Sequence, residues 1–392
     1  MIDKRVYMLT IIAFIVGMVE LIIGGILDLV ADDLDVTIGT AGLLISIFSL
    51  VFGISAPILL VVFAKTERTK LTFVSLIIFL IGNIIAVFSS SFELLILSRV
   101  VSAASGSLVI ILCINLASNI VEPAYRGRAI GLVVMGVSGS LVLGLPIGVM
   151  LGNMFGWRAP FVLISILTIL LIIAVPIFME KVAPKQPIPI RKQIATLKNA
   201  KISLAHATTF FFLAGHFTLY GYLTPYTKEV LGFSGTTISV LYFVYGLAAF
   251  SGGGLGGLAA DYLGKRRTIL SVIVLLAAAL LLIPTASHVV WAFWIVVVIW
   301  GIMSWGVTPS IQSHLMELSP ETSDIQQSLN NSALHFGIAF GTFFGGFVVK
   351  YAGIEHVSYF GIIFVALAFV SATLSTRNEA QKFRRKPAHT HS

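Results

Sequence analysis

"GLAADYLGKRR", Gly257 to Arg267, is a short polar interruption between two long apolar runs, and 196 residues earlier the chain carries a counterpart, "VVFAKTERTKL", Val61 to Leu71. Each falls between the second and third apolar run of its half of the chain, so the sequence reads as two halves in parallel repeat. Outward from these loops, runs of about 18 or more apolar residues, long enough to cross a bilayer, fill most of the 392 residues. Twelve occur, at 6–30, 38–63, 71–92, 94–120, 129–152, 160–179, 203–226, 236–258, 268–285, 289–313, 326–349 and 357–375. With 57% hydrophobic and 11% charged residues, against the roughly one-quarter charged of soluble domains, the chain is a membrane protein.

A linker rich in Pro and Lys, "EKVAPKQPIPIRKQIATLKNAK", Glu180 to Lys201, separates six runs from six and holds one short amphipathic piece, suited to lying on the membrane surface. The expected organisation is an N-terminal six-helix half at 1–180, a linker at 181–201, a C-terminal half at 202–376 and a basic tail at 377–392. Placing the N-terminus in the cytoplasm puts 21 of the 25 Lys and Arg residues on that side, among them Lys185 in the linker and Lys382, Arg384, Arg385 and Lys386 in the tail. Only Arg158, Lys228 and Lys350 face outward, and Arg99 lies inside the fourth run. The net charge of +8 is thus accounted for by insertion topology and requires no nucleic-acid partner. The expected location is the cytoplasmic membrane, multi-pass, with both termini inside. The first run is too long for a signal-peptide core and lacks a small-residue cleavage site after it. The single cysteine, Cys113, allows no intramolecular disulfide.

Three formal charges lie within the twelve runs: Glu20, Asp28 and Arg99. A charge at a helix centre costs about 2.5–3.5 kcal/mol on insertion scales, which makes each a functional candidate. About 15 residues at 1.5 Å each place Glu20 near mid-membrane, beyond the reach of snorkelling. A carboxyl held there can take up and release a proton as its surroundings change sides. Asp28 follows after a rise of about 12 Å and a rotation of about 80°, so both acids can face one cavity. Arg99 enters from the other direction to a similar depth as Asp28, and an Asp28–Arg99 pair is expected. The alternative for Asp28 is a carboxylate snorkelling at the helix end, beside Asp32, Asp33 and Asp35.

Adding the repeat offset to Glu20 gives His216, in "LAGHFTLYGYLTPY", with Tyr220 one turn further on the same face. Flat aromatic faces with a few polar tips suit a flat heterocyclic ligand. Asn115 in the fourth run, Asn330, Asn331 and His335 in the eleventh, and Trp300 and Trp305 in the tenth complete the candidate binding residues. There is no GxxxxGK[ST] loop, so ATP is not expected to supply energy. No metal-ligand spacing occurs either, His389 and His391 being part of the polar tail, and no cofactor is expected.

"GLAADYLGKRR" also matches the loop signature of the major facilitators, G-x-x-x-D-x-x-G-[RK]-[RK]. In it Gly257 is expected to allow close helix approach, Gly264 is the second fixed glycine, Asp261 is expected to accept hydrogen bonds or cap a helix end, and Arg266 and Arg267 are expected to form a cytoplasmic charge clasp that breaks when the site opens inward. The first-half copy departs from the pattern, with Lys65 at the Asp position and Arg68 at the second Gly. In the fifth run, Gly139, Gly144, Gly148 and Gly152 surround Pro146, which resembles the Gly/Pro signature of proton antiporters and predicts close helix contact with a bend. "FGWR" and "SRVVSAASG" look like further family signatures. The whole chain resembles the twelve-helix drug and metabolite proton antiporters of the major facilitator superfamily. "VELIIGGIL", "YRGRAIG", "AGHFTLYGY" and "SDIQQSLNNSAL" are similar to bacterial purine base and nucleoside efflux pumps.

The resemblance implies an all-α membrane fold of two pseudo-symmetric six-helix halves, and export of purine-like solutes coupled to proton entry. It assigns Glu20, Asp28 and Arg99 to coupling, and His216, Asn330 and Asn331 to the site region. Many relatives carry proline at the position of Asp28. The paired acids of the first run also resemble multidrug antiporters, so drug efflux is the alternative within the class. An uncoupled facilitator or membrane sensor is the alternative outside it, and no enzyme is expected. The expected partners are a small-molecule substrate, protons and the lipid bilayer, and the protein is expected to act as a monomer.

Overall fold

The computed structural model describes residues 3–184 and 189–377; Lys185 and the tail from residue 378, with its basic residues and histidines, lie outside the described residues. Among the described residues, twelve helices are long and apolar enough to span a membrane. They are α1 (Lys4–Gly25), α2 (Ile38–Val62), α3 (Arg68–Phe88), α4 (Phe92–Asn119), α5 (Arg126–Phe155), α6 (Ala159–Phe178), α7 (Ala200–Tyr220), α8 (Gly235–Leu263), α9 (Lys265–Ala286), α10 (Val290–Leu318), α11 (Ile325–Ala352) and α12 (Ile354–Ser375). Their even number brings both ends of the described chain to one face, here the termini face.

The helices begin where side chains satisfy free backbone N–H groups. Asp3 accepts from the Arg5 N–H at α1, Ser91 from Leu94 at α4, and Glu67 from Thr69 and Lys70 at α3. α8 ends at Gly264, whose φ of +82° is open to glycine without strain. α5 carries a π-helical turn at Ser140–Gly144, with Pro146 just beyond it. The proline lacks the N–H that would continue the regular ladder, and the wider turn absorbs the mismatch.

Two apolar runs break where hydropathy shows continuity. The first was expected over 6–30, but α1 stops at Gly25 and a separate helix occupies Leu27–Asp33. The seventh was expected over 203–226, but α7 stops at Tyr220 and Leu223–Leu231 follows. The hinge residues Ile26 (φ −121°, ψ 20°) and Tyr222 (φ −118°, ψ 17°) stand at the repeat offset of 196 and share one backbone conformation. The repeat therefore extends to the shape of the chain. Both hinges sit in apolar sequence, which is why a pattern of hydrophobicity passes over them.

The two six-helix halves meet along α2 with α11 and along the second part of α5 with α8. On the termini face the short linker helix Ile190–Ala195 touches both α2 and α11. The linker segment after α6 is pinned to the first half, because the Val182 N–H donates to Glu67 (2.9 Å), Thr69 Oγ1 donates to the Glu180 carbonyl (2.6 Å) and Arg5 pairs with the Glu180 carboxylate (3.2 Å). On the opposite face "FGWR" turns at Gly156 (φ +90°), and both Trp157 Nε1 and Arg158 Nη1 donate to Asp33 (2.9 and 2.8 Å). These two bonds, the Trp157 one foremost, hold the Asp33 carboxyl below its ordinary pKa.

Candidate functional site

A cavity lies between the halves. Its wall takes Gly17, Glu20 and Leu21 from α1, Val137 and Leu141 from α5, Leu213, His216, Phe217 and Tyr220 from α7, Tyr245 from α8, Ser304, Trp305 and Thr308 from α10, and Leu334 and Ile338 from α11. Most of this wall is aromatic or aliphatic, and no Lys or Arg is part of it.

Glu20 keeps 15% of its side-chain surface open and faces His335 of the other half, with 3.4 Å between Oε1 and the imidazole Nδ1. His335 is buried and packs its ring on Phe52, centroids 4.4 Å apart; its Nδ1 has no hydrogen-bond partner. A carboxyl and an imidazole thus meet across the seam between the halves.

Arg99 is wholly buried. Its Nη1 donates to the Val19 carbonyl (2.9 Å) and its Nε to that of Leu44 (3.4 Å), while the guanidinium lies 4.0 Å from the Phe48 ring centre. This strut ties α4 to α1 and α2, one residue from Glu20, and its charge acts on Glu20. The expected Asp28–Arg99 pair is not formed. The hinge at Ile26 redirects the chain, and Asp28 pairs with Lys228 of the second half. Close by, Thr224 Oγ1 donates to the Gly25 carbonyl and Tyr242 OH to that of Gly24, both at 3.2 Å. Asp28 therefore belongs to a seal near the opposite face, with its second carboxylate oxygen unpartnered.

The repeat partner of Glu20, His216, is locked in a directed chain of hydrogen bonds. Trp300 Nε1 can only donate, so Nδ1 of His216 accepts (3.0 Å). Tyr245 OH donates to Ser304 Oγ (2.8 Å) and Ser304 to the Gly301 carbonyl (2.7 Å), which leaves His216 Nε2–H donating to Tyr245 (3.2 Å). Both ring nitrogens are occupied, and the neutral imidazole offers the cavity its π-face. Tyr220 stacks on His216 at 5.1 Å and lies 4.9 Å from Tyr245, and its hydroxyl is buried with no partner.

A family model described as Major Facilitator Superfamily matches residues 9–325 and again 205–391. The chain belongs to the major facilitator superfamily. The transporter is 31% identical, over 94% of its length and 95% of the relative's, to a protein of Bacillus subtilis called "Uncharacterized MFS-type transporter YbcL". It is 25% identical to a "Probable sugar efflux transporter" of Pasteurella multocida, over 93% and 90% of the two chains. A bacterial homolog of the human lysosomal transporter Spinster, solved inward-facing and occupied, shares its fold with a TM-score of 0.80 at 16% identity, covering 98% of each chain.

Several expected site residues of this transporter stand elsewhere. Trp300 is fully buried behind His216 and is absent from the cavity wall, whereas Trp305 is part of it. Asn330 accepts from Thr209 Oγ1 (2.7 Å), stapling α7 to α11 below the cavity; Asn331 is exposed. Asn115 lies 16 residues beyond Arg99 along α4, and its carbonyl serves Asn119 (2.7 Å). None of these three residues is part of the cavity wall.

The loop residues are likewise redistributed. Nothing lies within 4 Å of where a Gly257 side chain would begin, and the close approach belongs to its neighbour Gly256, whose added Cβ would meet the Gly306 carbonyl oxygen at 2.0 Å. Asp261 is exposed, and among the described residues neither it nor Arg266 forms an ion pair; Lys265 pairs with Glu317 at the end of α10 instead. In α5, Gly144 and Gly148 do face α1, their added Cβ atoms falling 3.2 Å from Met18 and 2.0 Å from Ile22, and Pro146 is buried beside them. Lys228, Tyr242, Tyr245 and Ser304 escaped the sequence reading. Lys228 alone carried a signal, as one of the few basic residues on the sparsely charged side.

Proposed function

We propose that this transporter exports a small, flat, uncharged organic solute, a purine base or nucleoside, in exchange for protons by alternating access. The observation that carries the reading is the Glu20–His335 contact, since a proton gained or lost by the carboxyl alters a contact made only while the halves are together. The stacked rings of His216 and Tyr220, with Trp305 and Phe217 in the same wall, suit a planar ring. A wall with one carboxylate, a neutral His216 and no Lys or Arg is unfavourable to anions, so nucleotides and other phosphorylated solutes are not cargo. In this reading the basic termini face is cytoplasmic, and the structure is sealed outward by Asp28–Lys228 and its neighbours.

In proteoliposomes with an imposed pH gradient, labelled hypoxanthine should move uphill with the wild type. Glu20→Gln should abolish this while leaving hypoxanthine binding measurable; uphill transport retained by Glu20→Gln overturns the coupling role. Sugar export is the second reading, favoured by the names of relatives. A labelled hexose moved in place of hypoxanthine would establish it, and ethidium transport would mark a drug exporter.

A further inference from the structure

Glu20 borders a second, smaller cavity on the side of the opposite face. It shares Glu20, Tyr220 and apolar neighbours with the main cavity, and beyond them is lined by Gly24, Ile45, Ser49 and Gly221. It has room for about one water molecule and none for an organic solute. Its polar lining exceeds what the protein itself satisfies: Tyr220 OH, 4% exposed as a residue, has no partner, and the Ser49 hydroxyl has none among the described residues. With Glu20 these make three groups for one water, the usual number for a buried one.

We propose that this chamber holds a water molecule bound by Glu20, Ser49 and Tyr220, which passes protons between the opposite face and Glu20 along a path that the organic solute does not share. This rests on the proton-coupled reading above. A proton arriving from the opposite face makes the water a hydronium; that O–H bond breaks as a new one forms on the Glu20 carboxylate, and a neutral water is left behind. Phe217 and Ile338 stand in the wall between the two cavities, so solute in the larger one does not block the transfer. Further out, the Gly24 and Gly25 carbonyls are covered by Tyr242 and Thr224, next to Asp28–Lys228, and this cover must lift before protons enter. The titratable groups around Glu20 are Arg99 from α4, His335 from α11, His216 and Tyr220 from α7 and Tyr245 from α8.

The test is an infrared difference spectrum between low and high pH, recorded on the purified full chain in ordinary water and in water labelled with oxygen-18. An isotope-sensitive water band should change together with the Glu20 carboxyl band. It should be lost in Gly24→Ala, whose methyl fills the chamber yet meets nothing nearer than 3.8 Å, and shifted in Ser49→Ala. A Glu20 band that titrates without any isotope-sensitive band, or a water band unchanged in Gly24→Ala, overturns the water site and leaves the proton-coupled reading standing. A Glu20 band that does not respond to pH overturns both.

Discussion

At the scale of single residues, charge inside an apolar helix proved the readable signal, while its partners did not. Glu20 stands out because a carboxyl near mid-span is expensive to insert, and it lies at the seam of the halves. What satisfies Arg99 has no sequence signature, since two backbone carbonyls and a phenyl face can come from almost any neighbour. The Asp28 partner was hidden by the hinge at Ile26. Removing one member, as in Asp28→Asn or Lys228→Met, leaves a half-buried Lys228 or a buried Asp28 charge without its partner and should cost about 1–3 kcal/mol in thermal unfolding in detergent. The exchange Asp28→Lys with Lys228→Asp should recover most of that loss, and a double variant no better than the singles would rule out a pair interaction. His216 makes a separate case. His216→Phe keeps the aromatic face but strands the Trp300 N–H, so a loss of about 1–3 kcal/mol is expected from the same measurement.

At the scale of helices, spans and their order were legible from hydropathy, whereas contacts between helices were not, because the motif fixes residue types and not which face of a helix turns inward. The adjacent glycines of α8 separate the two. Gly256→Ala drives a methyl into the backbone of α10 and should destabilise the protein by about 1–3 kcal/mol. Gly257→Ala, whose methyl would meet nothing within 4 Å, should melt like the wild type; equal behaviour of the pair would refute the close packing of Gly256 on α10. The first-half loop, which lacks the acidic position of its counterpart, uses Glu67 instead. Burial acts to raise the pKa of Glu67, but the N–H donors of Lys70, Thr69 and Val182 outweigh it and hold the carboxyl below its ordinary value. A depressed carboxyl contributes stability that is present above its unfolded pKa of about 4.3 and lost as pH falls through the folded value. Glu67→Ala should therefore cost about 0.5–2 kcal/mol at neutral pH, the usual range for a lost cap. Its difference from the wild type should shrink on acidification below about pH 4, and a constant difference across that range would show that the charge of Glu67 is not what holds the linker.

At the scale of the whole molecule, the repeat places matched hinges at Ile26 and Tyr222 on either side of the seal, so each half carries one flap of the same construction. Polar contacts join the flaps, Asp28 with Lys228 and Thr224 with Gly25. Under the alternating access proposed above, they would bias the molecule toward the state closed on the opposite face. Two such contacts at about 1 kcal/mol each would shift that equilibrium by roughly tenfold or more. The chain's single cysteine makes this measurable, because Cys113→Ser gives a background without thiols. In that background a cysteine replacing Ser49, which is 1% exposed and lines the small chamber, should react slowly with a membrane-impermeant thiol reagent applied from the opposite face. Adding Asp28→Asn and Thr224→Val should speed its labelling about tenfold, while labelling of a cysteine at the outlying Gly257 from the termini face stays fast. Unchanged reactivity at position 49 would mean that the seal is held by the apolar packing of α2 on α11 and of α5 on α8, with the ion pair a passenger.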